Sequence, residues 1–162
     1  MSRLLLLVVC ALVGAVSAQE PSKPAASRPL KEYSYASDGF AIKFPHAVEP
    51  HTDSVYPDFK VWTVHLSQRA AISIRLKVDS EPCDAALGKL KSMAASQNET
   101  IREFSVSGRP AWEEKQRIRG DDRFLERYVC GVGRYYVLSF AWPASESRQL
   151  GMEIMDSFRL VK

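Results

Sequence analysis

From Phe40 onward, apolar and polar positions alternate in short runs that mark strands. Phe40, Ile42 and Phe44 alternate with Ala41 and Lys43, the period of a strand with one buried face, and Pro45 ends the run because it has no amide hydrogen for a ladder. The segment His46 to Phe59 reads as a loop or a wandering edge. Val61–Leu66 (VWTVHL) and Ala71–Val78 (AISIRLKV) form two further strands, with Ile72, Ile74, Leu76 and Val78 on one face and Ser73, Arg75 and Lys77 on the other. The short connection at Ser67–Ala70 predicts an antiparallel hairpin.

The period then changes. In DSEPCDAALGKLKSMAASQ, Asp79 or Ser80 can cap a helix. Glu81 and Asp84 suit its positive end, Pro82 fits its first turn, and Leu87, Leu90 and Met93 or Ala94 recur at helical spacing. A helix of about twelve to fifteen residues laying a narrow apolar stripe on the sheet is expected. Thr100–Ser107 is the next strand and "SGRP" the turn after it. Trp112–Arg119 and Arg123–Val132 flank "GDD" as a hairpin with charged outer faces: Glu113, Lys115, Arg117, Arg123 and Arg127. RYYVLSFAW is the most apolar strand. Ser145 opens a second helix carrying Leu150, Ile154 and Met155, and "SFRLV" closes the chain as a short strand. The order of elements predicts an α+β class: one mainly antiparallel twisted sheet packed with two helices.

The amino terminus does not fit this scheme. One arginine precedes an apolar run from Leu4 to Val13, and small residues at Val16 and Ala18 precede Gln19. This is the pattern of a secretory signal peptide cleaved near Ala18; a spanning helix needs roughly 18 or more apolar residues in a row. Residues 19–32 carry three prolines and little apolar surface, so they predict a flexible leader ahead of a single domain at 33–162. Cleavage leaves 144 residues with 21 Lys+Arg against 19 Asp+Glu. A charge so balanced argues against a nucleic-acid partner, and no second apolar segment suggests a membrane span in the mature form.

Cys10 leaves with the signal, and Cys83 and Cys130 remain. An even count in an exported chain predicts a disulfide between them. The competing reading makes Cys83, near a helix start, a redox thiol, but no Cys-x-x-Cys spacing supports it.

At this point the layout resembles a known group. "DGFAIKFP", the helix after the early strands, "SGRPAWEEKQRI", "RYYVLSFAWP" and the closing "DSFRL" together resemble the PsbP-like, DcrB-like α/β/α sandwich group of exported accessory proteins. The resemblance spans roughly residues 33–162. It implies the sandwich fold and an accessory or binding role, and it carries no catalytic residue to any position here.

Candidate chemistry is thin. His46, His51 and Asp53 share one loop, and imidazole with carboxylate suits zinc or manganese, but His-x4-His-x-Asp matches no dedicated metal motif. His65 is either a general base with Glu114 or Asp58 nearby, or a half-buried strand histidine with one hydrogen-bond partner, and the second reading is preferred. No Gly-x-Ser-x-Gly elbow occurs, and "GVGRYY" feeds a strand rather than the helix a phosphate-binding turn requires. Trp112, Tyr128, Tyr135, Tyr136 and Trp142 concentrate in the last third, as core or as a binding patch. Asn98-Glu99-Thr100 is a glycosylation sequon where the source permits it. Nothing calls for a cofactor. The expectation is a non-enzymatic exported accessory or binding protein acting on a protein or envelope component through its sheet face or loops. The competing class is a small metal-dependent or hydrolytic enzyme centred on His46, His51 and Asp53; a purely structural role is the third.

Overall fold

The computed structural model describes residues 29–55, 57–78, 83–96, 101–114 and 117–162. The predicted signal peptide, the leader up to residue 28, the helix-capping positions 79–82 and the Asn98 sequon lie outside the described residues.

Among the described residues, eleven strands and two α-helices follow in chain order: β1 (Lys31–Tyr35), β2 (Phe40–Phe44), β3 (His51–Thr52), β4 (Lys60–His65), β5 (Ala71–Val78), α1 (Cys83–Ser96), β6 (Ile101–Val106), β7 (Arg109–Glu114), β8 (Arg117–Arg119), β9 (Asp122–Cys130), β10 (Arg134–Pro143), α2 (Gln149–Asp156) and β11 (Arg159–Leu160). The large sheet has the order β3-β4-β5-β10-β9-β7-β6, with β8 paired to β9. A second sheet has the order β1-β2-β11. Pairing is antiparallel throughout the described strands.

The expectation of one sheet therefore needs correction: there are two. The pattern at β2 explains why. Phe40, Ala41, Ile42 and Phe44 are all buried, more than a strand with one solvated face would bury. The three-stranded sheet lies over the inner face of the large one, so Phe40, Ile42 and Phe44 join Trp62 and Val64 of β4, Ile72 and Ile74 of β5, and Leu138 and Phe140 of β10 in one core. From α2, Ile154 and Met155 complete it. Phe40 meets Trp62 edge-on at 4.9 Å and stacks on Phe158 at 5.4 Å, geometries that aromatic quadrupoles favour. Removing a side chain as buried as Trp62 would cost about 3–5 kcal/mol.

The domain also begins two residues earlier than composition suggested. Lys31 and Glu32 pair with Phe44 and Lys43, and Glu32 binds Arg159 at 2.7 Å, tying β1 to β11. The polar letters of KEYSY hide the strand, although Tyr33 and Tyr35 on alternate positions pack against the core. The "wandering edge" is β3, a two-residue strand on β4. The expected strand 112–119 is described as β7 and β8, which pair with adjoining stretches of β9; residues 115 and 116 between them lie outside the described residues. The second helix starts at Gln149 rather than Ser145.

Some expected faces are reversed. Val78 is 71% exposed because β5 ends there beyond the core. Met93 on α1 is exposed as well. Arg127, expected on a charged outer face, points inward and is 5% exposed. Its guanidinium is held by Glu113 of β7 and by Asp156 of α2 at 2.7 Å, so three elements meet at one buried cation. A cation can lie there only with such partners.

The opposite, outer face of the large sheet carries a smaller cluster of Trp112, Tyr128, Cys130 and Val137, with Cys83, Ile101 and Tyr135 against it. Trp112 stacks on Tyr128 with ring centroids 4.1 Å apart. Cys83 and Cys130 stand at disulfide distance, Cα to Cα 5.5 Å, at the point where α1 meets β9.

Candidate functional site

Beyond α1 no described residue covers the outer face of the large sheet, and its strands put polar side chains where a core would place apolar ones. Outward positions alternate along each strand, and the registers place Ser139 of β10 opposite Ser73 of β5 on one side and Glu126 of β9 on the other. Arg75 reaches across β10: its Nη2 donates to Glu126 Oε1 at 2.8 Å and to Ser139 Oγ at 2.6 Å. Ser139 Oγ donates in turn to Glu126 Oε1 at 2.8 Å. The second carboxylate oxygen of Glu126 accepts from Arg117 Nη2 at 2.7 Å and from the Tyr128 hydroxyl at 3.0 Å. Tyr128 also reaches Glu114, which is buried on β7, at 3.2 Å.

The electrostatics follow from that wiring. Burial alone would raise the Glu126 pKa. The hydrogen bonds from Ser139 and Tyr128 and the charges of Arg75 and Arg117 outweigh it and hold the carboxyl below the usual glutamate range. Burial, and next the charges of Glu126 and Glu114, push Tyr128 far above an ordinary tyrosine. At neutral pH the cluster is therefore an ionised carboxylate between two guanidiniums beside a neutral phenol. A carboxylate held in this way resists protonation and makes a weak proton shuttle; what the cluster does well is hold its members still.

Beside the cluster the face opens into a hollow of about 240 Å³. Its floor is small: Thr63, Ala71, Ser73 and Ala141, with Phe124 and Arg117 at the rim. The other end of the face is closed by Phe59, which packs edge-on against Tyr135 at 6.0 Å with Lys77 over its ring.

The predicted candidates are scattered. His46 and His51 are exposed and Asp53 is half-buried, the Asp53 carboxylate accepting from the Val55 amide at 2.7 Å within its own turn. Among the described residues no group of three or more His, Cys, Asp or Glu is placed to hold a metal ion. His65 is exposed at the end of β4, not half-buried. β5, β10 and β9 separate it from Glu114, and Asp58 is exposed in a loop. Of the five late aromatics, Trp112, Tyr128, Tyr136 and Trp142 are buried, and Tyr135 is partly so. The polar cluster was not anticipated. Its signal was present as single polar letters inside apolar strands, Arg75 in AISIRLKV, Glu126 in RFLERYVC and Ser139 in YVLSFAW, but those letters lie 51 and 64 positions apart for the pairs that meet.

No protein-family model matches the chain, and no curated protein matches it in sequence. Solved structures do match in shape. Cyanobacterial PsbP (CyanoP) from Synechocystis sp. PCC 6803, determined in solution, aligns over 95% of this chain and 98% of its own with a TM-score of 0.55 and 15% identity. A crystal structure from Bacteroides thetaiotaomicron VPI-5482 aligns over 82% of this chain and 48% of its own, with a TM-score of 0.49 and 14% identity. The chain has a PsbP-like fold: mostly antiparallel sheet with two helices. No helix among the described residues is long and apolar enough to cross a membrane.

Proposed function

We propose that this chain is an exported, non-enzymatic accessory module that binds a protein or an envelope component through the uncovered outer face of its large sheet. The observation that carries this reading is the hollow floored by Thr63, Ala71, Ser73 and Ala141 beside the Arg75–Glu126–Arg117 cluster. Small side chains let another chain approach the sheet closely, and charges already fixed by one another need little further ordering when a partner arrives. The PsbP-like fold is consistent with this role without specifying a partner. Export rests on the amino-terminal pattern, and a cysteine pair at disulfide distance is compatible with an oxidising compartment.

A photo-cross-linking residue placed at Ser73 tests the reading in the native compartment. One dominant adduct is expected, identified by mass spectrometry and absent when the same probe stands at exposed Glu49. No adduct at Ser73, or the same products from both positions, overturns it. Mass spectrometry of the mature amino terminus tests export, with cleavage after Ala18 expected.

A further inference from the structure

Four distant segments meet at the end of the sheet opposite the hollow. They are the turn Ala36–Gly39 before β2, the β6–β7 turn at Ser107–Gly108, the β9–β10 turn at Gly131–Gly133, and the residues after β11. Two contacts lock them together: the Leu160 amide donates to Ser107 Oγ at 3.1 Å, and the Val161 amide donates to the Gly39 carbonyl at 3.0 Å. Ser107 has φ 51°, the one positive φ of a non-glycine residue among those described, so the turn is held in a conformation its own side chain disfavours. Between the segments lies a half-enclosed cavity of about 530 Å³, within the range of small-molecule sites.

Its side-chain charge is one-sided. Arg109, Arg134 and Lys162 line it, and among the described residues no carboxylate stands within ion-pair distance of any of the three. Eight other cations, including Arg75, Arg117 and Arg127, have such partners. The nearby carboxylate of Asp38 is taken by Lys60 at 2.8 Å. Arg134 is also held in place. A Cβ at Gly39 would come 3.3 Å from its Nη1, and one at Gly131 would come 2.9 Å from its Cγ, so glycines on both sides make the slot in which the side chain lies. Its Nη1 donates to the Ser37 carbonyl at 3.3 Å, leaving other guanidinium donors for a ligand. Leu160, Val161 and Val132 supply apolar wall.

We propose that this cavity binds a phosphomonoester with an apolar body. The phosphoryl group sits on Arg134, with Arg109 and Lys162 adding charge, and the apolar part lies against Leu160 and Val161. Three unpaired cations favour a dianion over a single carboxylate, and a planar guanidinium fixed in advance matches two phosphoryl oxygens. The volume exceeds the needs of a bare inorganic anion, and the apolar wall gives the remainder a use.

Calorimetric titration of the purified protein with phenyl phosphate, benzoate and inorganic phosphate tests this, with vesicles containing phosphatidic acid as a further arm. Phenyl phosphate is expected to bind about tenfold more tightly than either benzoate or phosphate, and R134Q to weaken it about tenfold. R109Q, at an exposed position, leaves the fold intact and should weaken it by a smaller factor, so misfolding of R134Q alone cannot explain a joint loss. Binding to phosphatidic acid vesicles with the same dependence on Arg134 and Arg109 supports the site and assigns its source to a lipid headgroup. No binding of phenyl phosphate or of the vesicles, or binding that neither substitution weakens, overturns the proposal.

Discussion

Arg75 and Glu126 lie on strands that do not touch: β10 runs between β5 and β9, and the pair meets over Ser139 at 2.8 Å. One ion pair thus spans three strands of the large sheet, and both partners are largely shielded from water. Replacing Glu126 by glutamine removes the carboxylate that both Arg75 and Arg117 hold, leaving Arg117 its longer contact with Glu114 at 3.6 Å. It should cost about 1–3 kcal/mol, read as a lower urea midpoint at unchanged slope. A midpoint within error of the parent would mean that the cluster adds nothing to stability.

The same residue sets an acid limit. Its folded pKa is depressed, so its contribution is present above the unfolded glutamate value of about 4.3. That contribution falls away as pH drops through the lower folded value. Urea midpoints measured from pH 7 down to about pH 3 should fall more steeply for the parent than for E126Q. Parallel curves would contradict this.

Alkali should weaken the fold for the opposite reason. Burial is the main cause that raises the pKa values of Tyr35, Tyr128 and Tyr136. A raised folded pKa gives stability that is complete below the unfolded tyrosine value of about 10, and that stability is lost as pH rises beyond it. The tyrosinate absorbance that Tyr128→Phe removes should appear only together with unfolding above about pH 10, and Tyr128→Phe should move that transition to higher pH. Tyrosinate forming at Tyr128 in the intact fold would refute the assignment.

Cys83 and Cys130, 47 positions apart, join α1 to the sheet. Non-reducing peptide mapping is expected to recover the linked pair, and C83A/C130A to lose about 4 kcal/mol on the chain-entropy account. Two titratable thiols at these positions in the purified protein would rule the bond out.

Gly151 on α2 faces the Phe140 ring so closely that an added Cβ would run into it. Phe140 is buried and stacked on Trp142 at 4.4 Å, so it has little room to move. Alanine would gain about 1 kcal/mol of helix propensity and meet about 1–3 kcal/mol of overpacking. A net loss in thermal midpoint is expected for G151A, and a gain would show that α2 can shift.

The strands that could be read from the sequence are those whose pattern matches a half-buried ladder. Phe40–Phe44, Ala71–Val78 and Arg134–Pro143 announce themselves by apolar residues at every second place. β1 did not, because its inward tyrosines are only partly buried and its outward residues are charged.

Local chemistry in the chain determined where strands and helices form, which two cysteines were available to meet, and that the amino terminus differs in kind from the rest. Tertiary structure alone decided that β2 belongs to a second sheet and that Arg127 turns inward to Asp156. It also placed Arg75, Glu126 and Ser139 in one cluster and brought to one cavity three cations that have no carboxylate partner among the described residues. The physical reason is range. Periodicity reports the contact of a residue with its own element, whereas ion pairs and cavities depend on strand order, which neighbouring residues in the chain do not encode.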